Sequence, residues 1–289
     1  MDPEVFEAHR PLLFSVAYRM LGSVAEAEDV VQDVYLRARA AQDVRDAKAF
    51  LVTAATRLSI DRLRSARHRR ETYVGPWLPE PLVGAVPDAS EPVELRESLS
   101  LAFLFVLEAL TPSERAAFLL REVFSFPYPE VASALGRSEV ATRQLVHRAR
   151  RALDARRPRF AVPKTEQRAL LRRFLDACEG GDVDGLAQLL ADGAAAYTDG
   201  GGEAQAARRP VLGRRRVARF LVKIAARTPA EVKVEIALVN GRPGIVLRAG
   251  GDAVAVLDVD ASRDGIERVL VVAAPSKLGS VRATEPAPR

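Results

Sequence analysis

Cysteine and tryptophan each occur once, and histidine three times, in 289 residues. A single cysteine, Cys178, excludes an internal disulfide framework and any cysteine-built zinc site. His9, His68 and His147 lie far apart in sequence, so no histidine-built metal centre is expected. No run of about 18 apolar residues occurs, and the opening MDPEVFEAHR has no basic stretch ahead of an apolar core. We expect a cytoplasmic protein without a membrane span.

Net charge is also missing where a nucleic-acid binder would carry it. The chain is +5 overall. Yet residues 1–157 hold 22 Lys+Arg against 22 Asp+Glu, and residues 158–289 hold 21 against 16. A case for DNA in the front half must therefore rest on local patches. Hydrophobic residues at 48% can build real cores, and the length suggests two domains or more.

What is present reads first as helices. Ser23 and Glu26 form a capping box, and Ala27, Val30, Val31, Val34 and Ala38 follow at helical spacing. A second helix is expected over 47–66, with an arginine-rich face and end running from Arg57 to Arg70. From 73 to 95 the glycines and prolines forbid a regular helix. That stretch holds Glu80, Asp88, Glu91 and Glu94 and no basic residue, so it is an acidic linker. Helices resume at Thr111-Pro112-Ser113-Glu114, a capping box with proline at the first helical position. A short helix over 129–135, a turn at Gly136 and a helix from Ser138 to Leu153 come next. The C-terminal part changes period, with helices at 165–179, 183–191 and 214–227 and strands at 232–238, 244–249, 253–259 and 266–272.

The short helix, Gly136 and the longer helix have the form of a helix-turn-helix. The second helix, capped by Ser138, projects Glu139, Arg143, Gln144, His147, Arg148 and Arg151. Such residues suit base edges in the first turns and phosphates beyond. A helical hairpin with a solvated basic face is the plain alternative, and six arginines over 57–70 usually mean, read alone, a solvated face. No phosphate-binding Gly-rich loop and no nucleophile elbow occurs. Tyr197 and Asp199 can be offered as general-base candidates, but the C-terminal domain has no histidine and no catalytic residue is expected.

Three segments in order carry a resemblance. Ala27 to Ala38 is similar to the clamp-gripping segment of bacterial extracytoplasmic-function (ECF) sigma factors. Ala49-Phe50-Leu51 through Ser59-Ile60-Asp61-Arg62-Leu63-Arg64 resembles their −10 helix. Val131 to Leu153, with Arg148-Ala149-Arg150, resembles their −35 module. Trp77-Leu78-Pro79-Glu80-Pro81 and Asp199-Gly200-Gly201-Gly202 resemble signatures of the subgroup with a C-terminal SnoaL-like domain. Glu203 stands where that subgroup often has a basic residue, and Ala274-Pro275-Ser276-Lys277-Leu278 stands for its Asn-Pro-Asp-Lys-Leu.

The resemblance implies all-α sigma domains 2 (1–72) and 4 (98–160), an acidic Pro-rich linker (73–97), an α+β cone-shaped SnoaL-like domain (161–280) and a tail (281–289). It implies core RNA polymerase and promoter DNA as partners, through the β′ clamp helices and β flap, with no cofactor and no metal. Asp29, Gln32 and Asp33 are expected to contact the polymerase. Arg57, Asp61, Arg62 and Arg64 join Ser138, Glu139, Arg143, Gln144, His147, Arg148 and Arg151 on DNA. Trp77, Pro79, Glu80, Asp199, Gly200, Gly201 and Gly202 are expected to form a regulatory linker contact, with Trp77 substantially buried. The residues leave open whether the C-terminal pocket holds a small molecule. Two other readings remain: an operator-binding regulator with a ligand-sensing domain, and an enzyme tethered to DNA.

Overall fold

The computed structural model describes every residue except 43, 85–94, 96, 155–163, 280 and 282–289, and omits the side chains of 66–71 and 164–165. Asp88, Glu91 and Glu94 of the linker, the side chains of Arg67, His68, Arg69 and Arg70, and residues 282–289 of the tail lie outside the described residues. Two compact units emerge. One gathers 1–72, 92–98 and 106–157, and the other gathers 73–91, 99–105 and 158–289. The first part of the linker and the start of the second helical segment thus belong with the C-terminal domain.

The first unit is helical. Helix α1 (Pro3–Leu21) starts where Asp2 accepts the Glu4 N–H at 2.9 Å, and stops at Gly22, whose φ of +68° suits glycine. Ser23 caps α2 (Val24–Ala40) by accepting the Glu26 N–H. Helix α3 (Ala47–Glu71) completes a three-helix core around Leu13, Tyr18, Val30, Val34, Leu51 and Ala55, all essentially inaccessible. Each large apolar side chain buried there contributes about 1.5–3 kcal/mol.

Helix α4 (Leu101–Leu107) is followed by α5 (Pro112–Phe118), where the capping box closes in both directions. The Glu114 N–H donates to Thr111 Oγ1, and the Thr111 N–H donates to Glu114 Oε2. A π-type turn (Leu119–Val123) leads into α6 (Tyr128–Leu135), Gly136 at φ +62° and α7 (Glu139–Asp154). Small Ala117 lets α5 approach Leu145 and Val146 of α7.

The second unit is α+β. Helices α8 (Lys164–Glu179) and α9 (Val183–Leu189) precede strands β1 (Leu190–Asp199) and β2 (Val211–Leu212). Helix α10 (Arg214–Ala225) and strands β3 (Lys233–Val239), β4 (Arg242–Ala249), β5 (Asp252–Ser262) and β6 (Gly265–Val272) follow. One six-stranded sheet runs β2-β1-β6-β5-β4-β3, and β1 lies parallel to β6 while the other neighbours are antiparallel. The expected helix through 191 is corrected: it ends at Leu189, and ten residues of strand follow that the sequence reading missed. Alanine-rich Leu190–Asp199 has weak β-propensity, but its pairing with β6 buries Ala194 and Ala196 completely.

The sheet has two occupied faces. Ile245, Val259 and Val269 point to Leu171, Phe174, Val217 and Leu221 of the helices. On the other face Val246, Val256, Leu270 and Val272 cluster with Leu78, Leu101 and Leu278. Among the described residues no helix is long and apolar enough to cross a membrane.

Candidate functional site

In the helical unit α2 offers one face with a mixed character. Asp29 and Gln32 are exposed and Asp33 is half-exposed. Leu36, one further turn along, is 56% exposed. Leu36 shares the helical phase of Asp29, seven residues before it.

Asp29 and Asp33 are tied to Arg62 of α3. Its guanidinium donates to Asp29 at 3.1 Å and to Asp33 at 2.8 Å. Partial burial by itself lowers the Arg62 pKa, but hydrogen bonds and charge from Asp33 and Asp29 outweigh it, and the pKa is raised. Expected polymerase and DNA residues are thus joined by a direct ion pair. Asp61 and Arg64 pair at 3.3 Å on the exposed side of α3. Arg57 turns elsewhere, donating to Ala134 O at 2.9 Å and Ser133 O at 3.0 Å. Those are last-turn carbonyls of α6, so Arg57 serves as a C-terminal cap there.

The helix-turn-helix presents α7 as expected. Ser138 Oγ accepts the Ala141 N–H. Glu139, Gln144, His147 and Arg151 are exposed. Arg143 stacks over the Tyr128 ring at 4.0 Å and lies 3.6 Å from Glu139. Arg148 pairs with Glu114 at 2.9 Å, and Arg150 takes Glu122 in a bidentate grip. Val140 in the first turn of α7 is 67% exposed, a position suited to apolar contact with a thymine methyl.

In the α+β unit Asp199 is the centre of a polar cluster at the end of β1. Its carboxylate is fully buried and accepts from the Tyr73 hydroxyl at 2.6 Å, the Leu78 N–H at 2.8 Å, the Gly201 N–H at 3.1 Å and Lys277 Nζ at 2.6 Å. Lys277 Nζ also donates to Leu78 O at 2.6 Å and lies 4.2 Å from the centre of the Trp77 ring. Burial, then the hydrogen bond and charge of Asp199, raise the Tyr73 pKa. Gly201 and Gly202 have φ of +64° and +82°, and a Cβ on Gly202 would meet Val74 at 3.4 Å. A Cβ on Gly200 would meet Ala204 O at 2.4 Å. The glycines therefore let the loop close on itself and let residues 73–78 approach.

Trp77, Pro79 and Glu80 all sit in this region. Trp77 is partly buried, and the fully buried side chain is its neighbour Leu78. The indole caps the Lys277 ammonium while the smaller leucine enters the apolar cluster. Lys277 itself was visible only as part of a motif.

The same domain holds the strand beyond the tryptophan. The Leu82 N–H donates to Asn240 Oδ1 at 2.9 Å, and Asn240 Nδ2 donates to Leu99 O at 2.8 Å. The Phe105 and Tyr197 rings lie 4.7 Å apart. One asparagine thereby fixes residues on both sides of the undescribed stretch 85–94.

Residues 5–69 match the family Sigma-70 region 2, and residues 100–153 match Sigma-70, region 4. The chain is 41% identical over 251 residues to the ECF RNA polymerase sigma factor SigJ of Mycobacterium tuberculosis, covering 84% of this chain and 80% of that one. It is 32% identical over 284 residues to the probable ECF sigma factor SigI of the same species, covering 96% and 95%. The crystal structure of M. tuberculosis SigJ superposes with a TM-score of 0.77 at 34% identity, over 96% of this chain and 99% of that one.

Proposed function

The chain belongs to the ECF RNA polymerase sigma factors, and from that premise we propose how its surfaces divide the work of an alternative sigma factor that directs transcription initiation. Asp29, Gln32 and Asp33, with Leu36, bind core polymerase. Arg62 and Arg64 act at the −10 element, and α7 reads the −35 element with Val140, Arg143 and Gln144 toward bases. Arg148 and Arg151 serve phosphates once Arg148 leaves Glu114.

We assign the C-terminal domain a regulatory role rather than a catalytic one. Asp199 could be offered as a general base, yet four donors already occupy its carboxylate. A base so fully hydrogen-bonded has no lone pair free for a substrate proton. The observation carrying the regulatory reading is that this carboxylate grips the Leu78 backbone and, through Lys277, the Trp77 ring. A domain that captures the linker biases the reach available to the two promoter-reading modules.

Reconstituted transcription with purified core polymerase tests both parts. The full chain should start transcripts at defined promoters, and Lys277→Met should change promoter activity without changing core affinity. No defined start with any promoter of a random library would reject the sigma assignment of these surfaces. Unchanged activity in Lys277→Met would reject the regulatory one.

A further inference from the structure

The positive charge of the chain is concentrated in one stretch of the C-terminal domain. Residues 204–230 hold eight basic residues and no acidic one, so with a net charge of +5 the rest of the chain sums to −3. Helix α10 gathers them on one side. Arg216, Arg219 and Lys223 recur at three- and four-residue spacing, and Arg227 follows just past the C-cap. All four are exposed, whereas Val217, Ala218 and Leu221 on the other side are buried in the domain core. At 1.5 Å per residue the row extends roughly 16 Å.

This row has no acid to neutralise it. Asp192 and Asp184 pair with Arg214 and Arg215 at the start of the helix. Among the described residues no carboxylate pairs with Arg216, Arg219, Lys223 or Arg227. The cations of the promoter-reading helices differ. Arg62, Arg64, Arg143, Arg148 and Arg150 each face an acidic partner. Helix stability does not account for the row either. Cations in the first turn oppose the helix dipole, and like charges four residues apart repel. A polyanion would relieve both.

We propose that the exposed side of α10 is a further DNA-binding surface, a sequence-independent contact to the phosphates of one strand of a duplex. A row of that length spans about five phosphates at 3.4 Å of rise each. Single-stranded nucleic acid is gripped by stacking on aromatic side chains. The one aromatic in 204–230, Phe220, is half-buried and packs on the core. A membrane-surface helix lays its apolar side in lipid, and α10 has that side inside the domain. Promoter DNA is already the partner of this family, so the helical modules raise the local concentration of duplex at α10. Phosphate contacts add hold and no sequence preference.

Anisotropy titrations of the full chain with a labelled duplex of random sequence, over a series of salt concentrations, test the surface. Arg216→Gln, Arg219→Gln, Lys223→Gln and Arg227→Gln combined should weaken binding at least about tenfold and flatten the salt slope by about three to four. Arg219→Gln with Lys223→Gln alone should give about half that change in slope. Arg168→Gln, Arg172→Gln, Arg173→Gln and Lys233→Gln combined remove the same charge from exposed positions outside the row, and binding should stay within about twofold of wild type. Thermal unfolding midpoints matched to wild type show that each variant is folded. Unchanged affinity and slope in both row variants would overturn the proposal. So would an equal loss in the charge-matched variant, because net charge alone would then explain the binding. Loss of binding to phosphatidylserine vesicles with duplex binding intact would overturn it too, and would make a lipid surface the occupant.

Discussion

Lys277 Nζ lies 2.6 Å from a carboxylate oxygen of Asp199, with the lysine side chain 12% and the aspartate 0% exposed. The ammonium is shared with Leu78 O and capped by the Trp77 ring, so one cation joins the end of β1, the linker backbone and its tryptophan. Buried pairs of this kind add little over an apolar replacement of both partners, but breaking one partner leaves a stranded charge.

Lys277→Met leaves the buried Asp199 carboxylate without its counter-charge, so it should both weaken the domain and loosen the linker. We expect Trp77 emission to shift red and its access to acrylamide to rise, because the ammonium that ties its ring to Leu78 O and Asp199 is gone. Asp199→Ala should cost about 3–5 kcal/mol, since it strands Lys277 and removes the acceptor of two backbone N–H groups. Unchanged emission and quenching in Lys277→Met would show that the ammonium does not hold the tryptophan.

Leu36→Ser and the triple change Asp29→Ala, Gln32→Ala, Asp33→Ala should weaken binding to core polymerase. The leucine is exposed, so its replacement should move stability by no more than about 0.5 kcal/mol. Burying its side chain in an interface contributes roughly 1–3 kcal/mol, a loss of roughly fivefold or more in affinity. A pull-down titration with equal affinity for Leu36→Ser and wild type would remove Leu36 from the interface.

The Arg148–Glu114 pair predicts an unusual gain. Glu114→Gln keeps a capping-box side chain for Thr111 while releasing Arg148 from its ion pair. Binding to duplex DNA should tighten on every sequence, and the salt dependence should steepen by about one phosphate's worth. Val140→Ser should behave differently, costing about 1 kcal/mol on the preferred −35 sequence and little elsewhere. Equal effects of the two variants on cognate and random duplexes would refute the division between phosphate and base contacts.

Arg57 is expected to hold the end of α6 in the free protein. Arg57→Ala should cost about 1 kcal/mol, the low end for a charged donor because the residue is exposed. Small-angle scattering of the variant should show a larger radius of gyration if those two bonds restrain α6 against α3. Identical scattering from the variant and wild type would show that the two bonds do not restrain α6.

These residues show what the sequence could and could not convey. The helix-turn-helix, the capping box at Thr111 and the period-two strands were legible because each is a local signal with a fixed spacing. Strand β1 was not, because alanine carries no strand signal and its partner β6 lies about 70 residues away in the chain. Asp199 was legible as a motif, but its four donors come from residues 73, 78, 201 and 277 and only folding brings them together. Trp77 drew attention by size, whereas depth went to Leu78, which packs without a polar atom to satisfy. Arg57 looked like its arginine neighbours, and only the position of the α6 carbonyls separates it from them.

Asp258 carries the pH prediction. It lies on β5 at 3% exposure and accepts the N–H of Ala102, in the first turn of α4, at 3.3 Å. Burial raises its pKa from 3.8 to about 6, with Asp260 adding to the rise, while Arg242 and the N–H groups of Ala102 and Val259 oppose it. The folded chain thus holds this proton more tightly than the unfolded chain does. Between pH 3.8 and about 6 the native state binds more protons, so stability falls as pH rises through that window and stays lower above it. A shift of roughly two units corresponds to about 3 kcal/mol. Asp258→Asn keeps an oxygen for the Ala102 N–H and never ionises. The variant should be more stable than wild type at pH 7.5 and nearly equal to it at pH 4. Urea midpoints at the two pH values measure the difference, in which titrations common to both proteins cancel. If the gap between variant and wild type does not widen with pH, Asp258 does not carry the buried charge this geometry imposes on it.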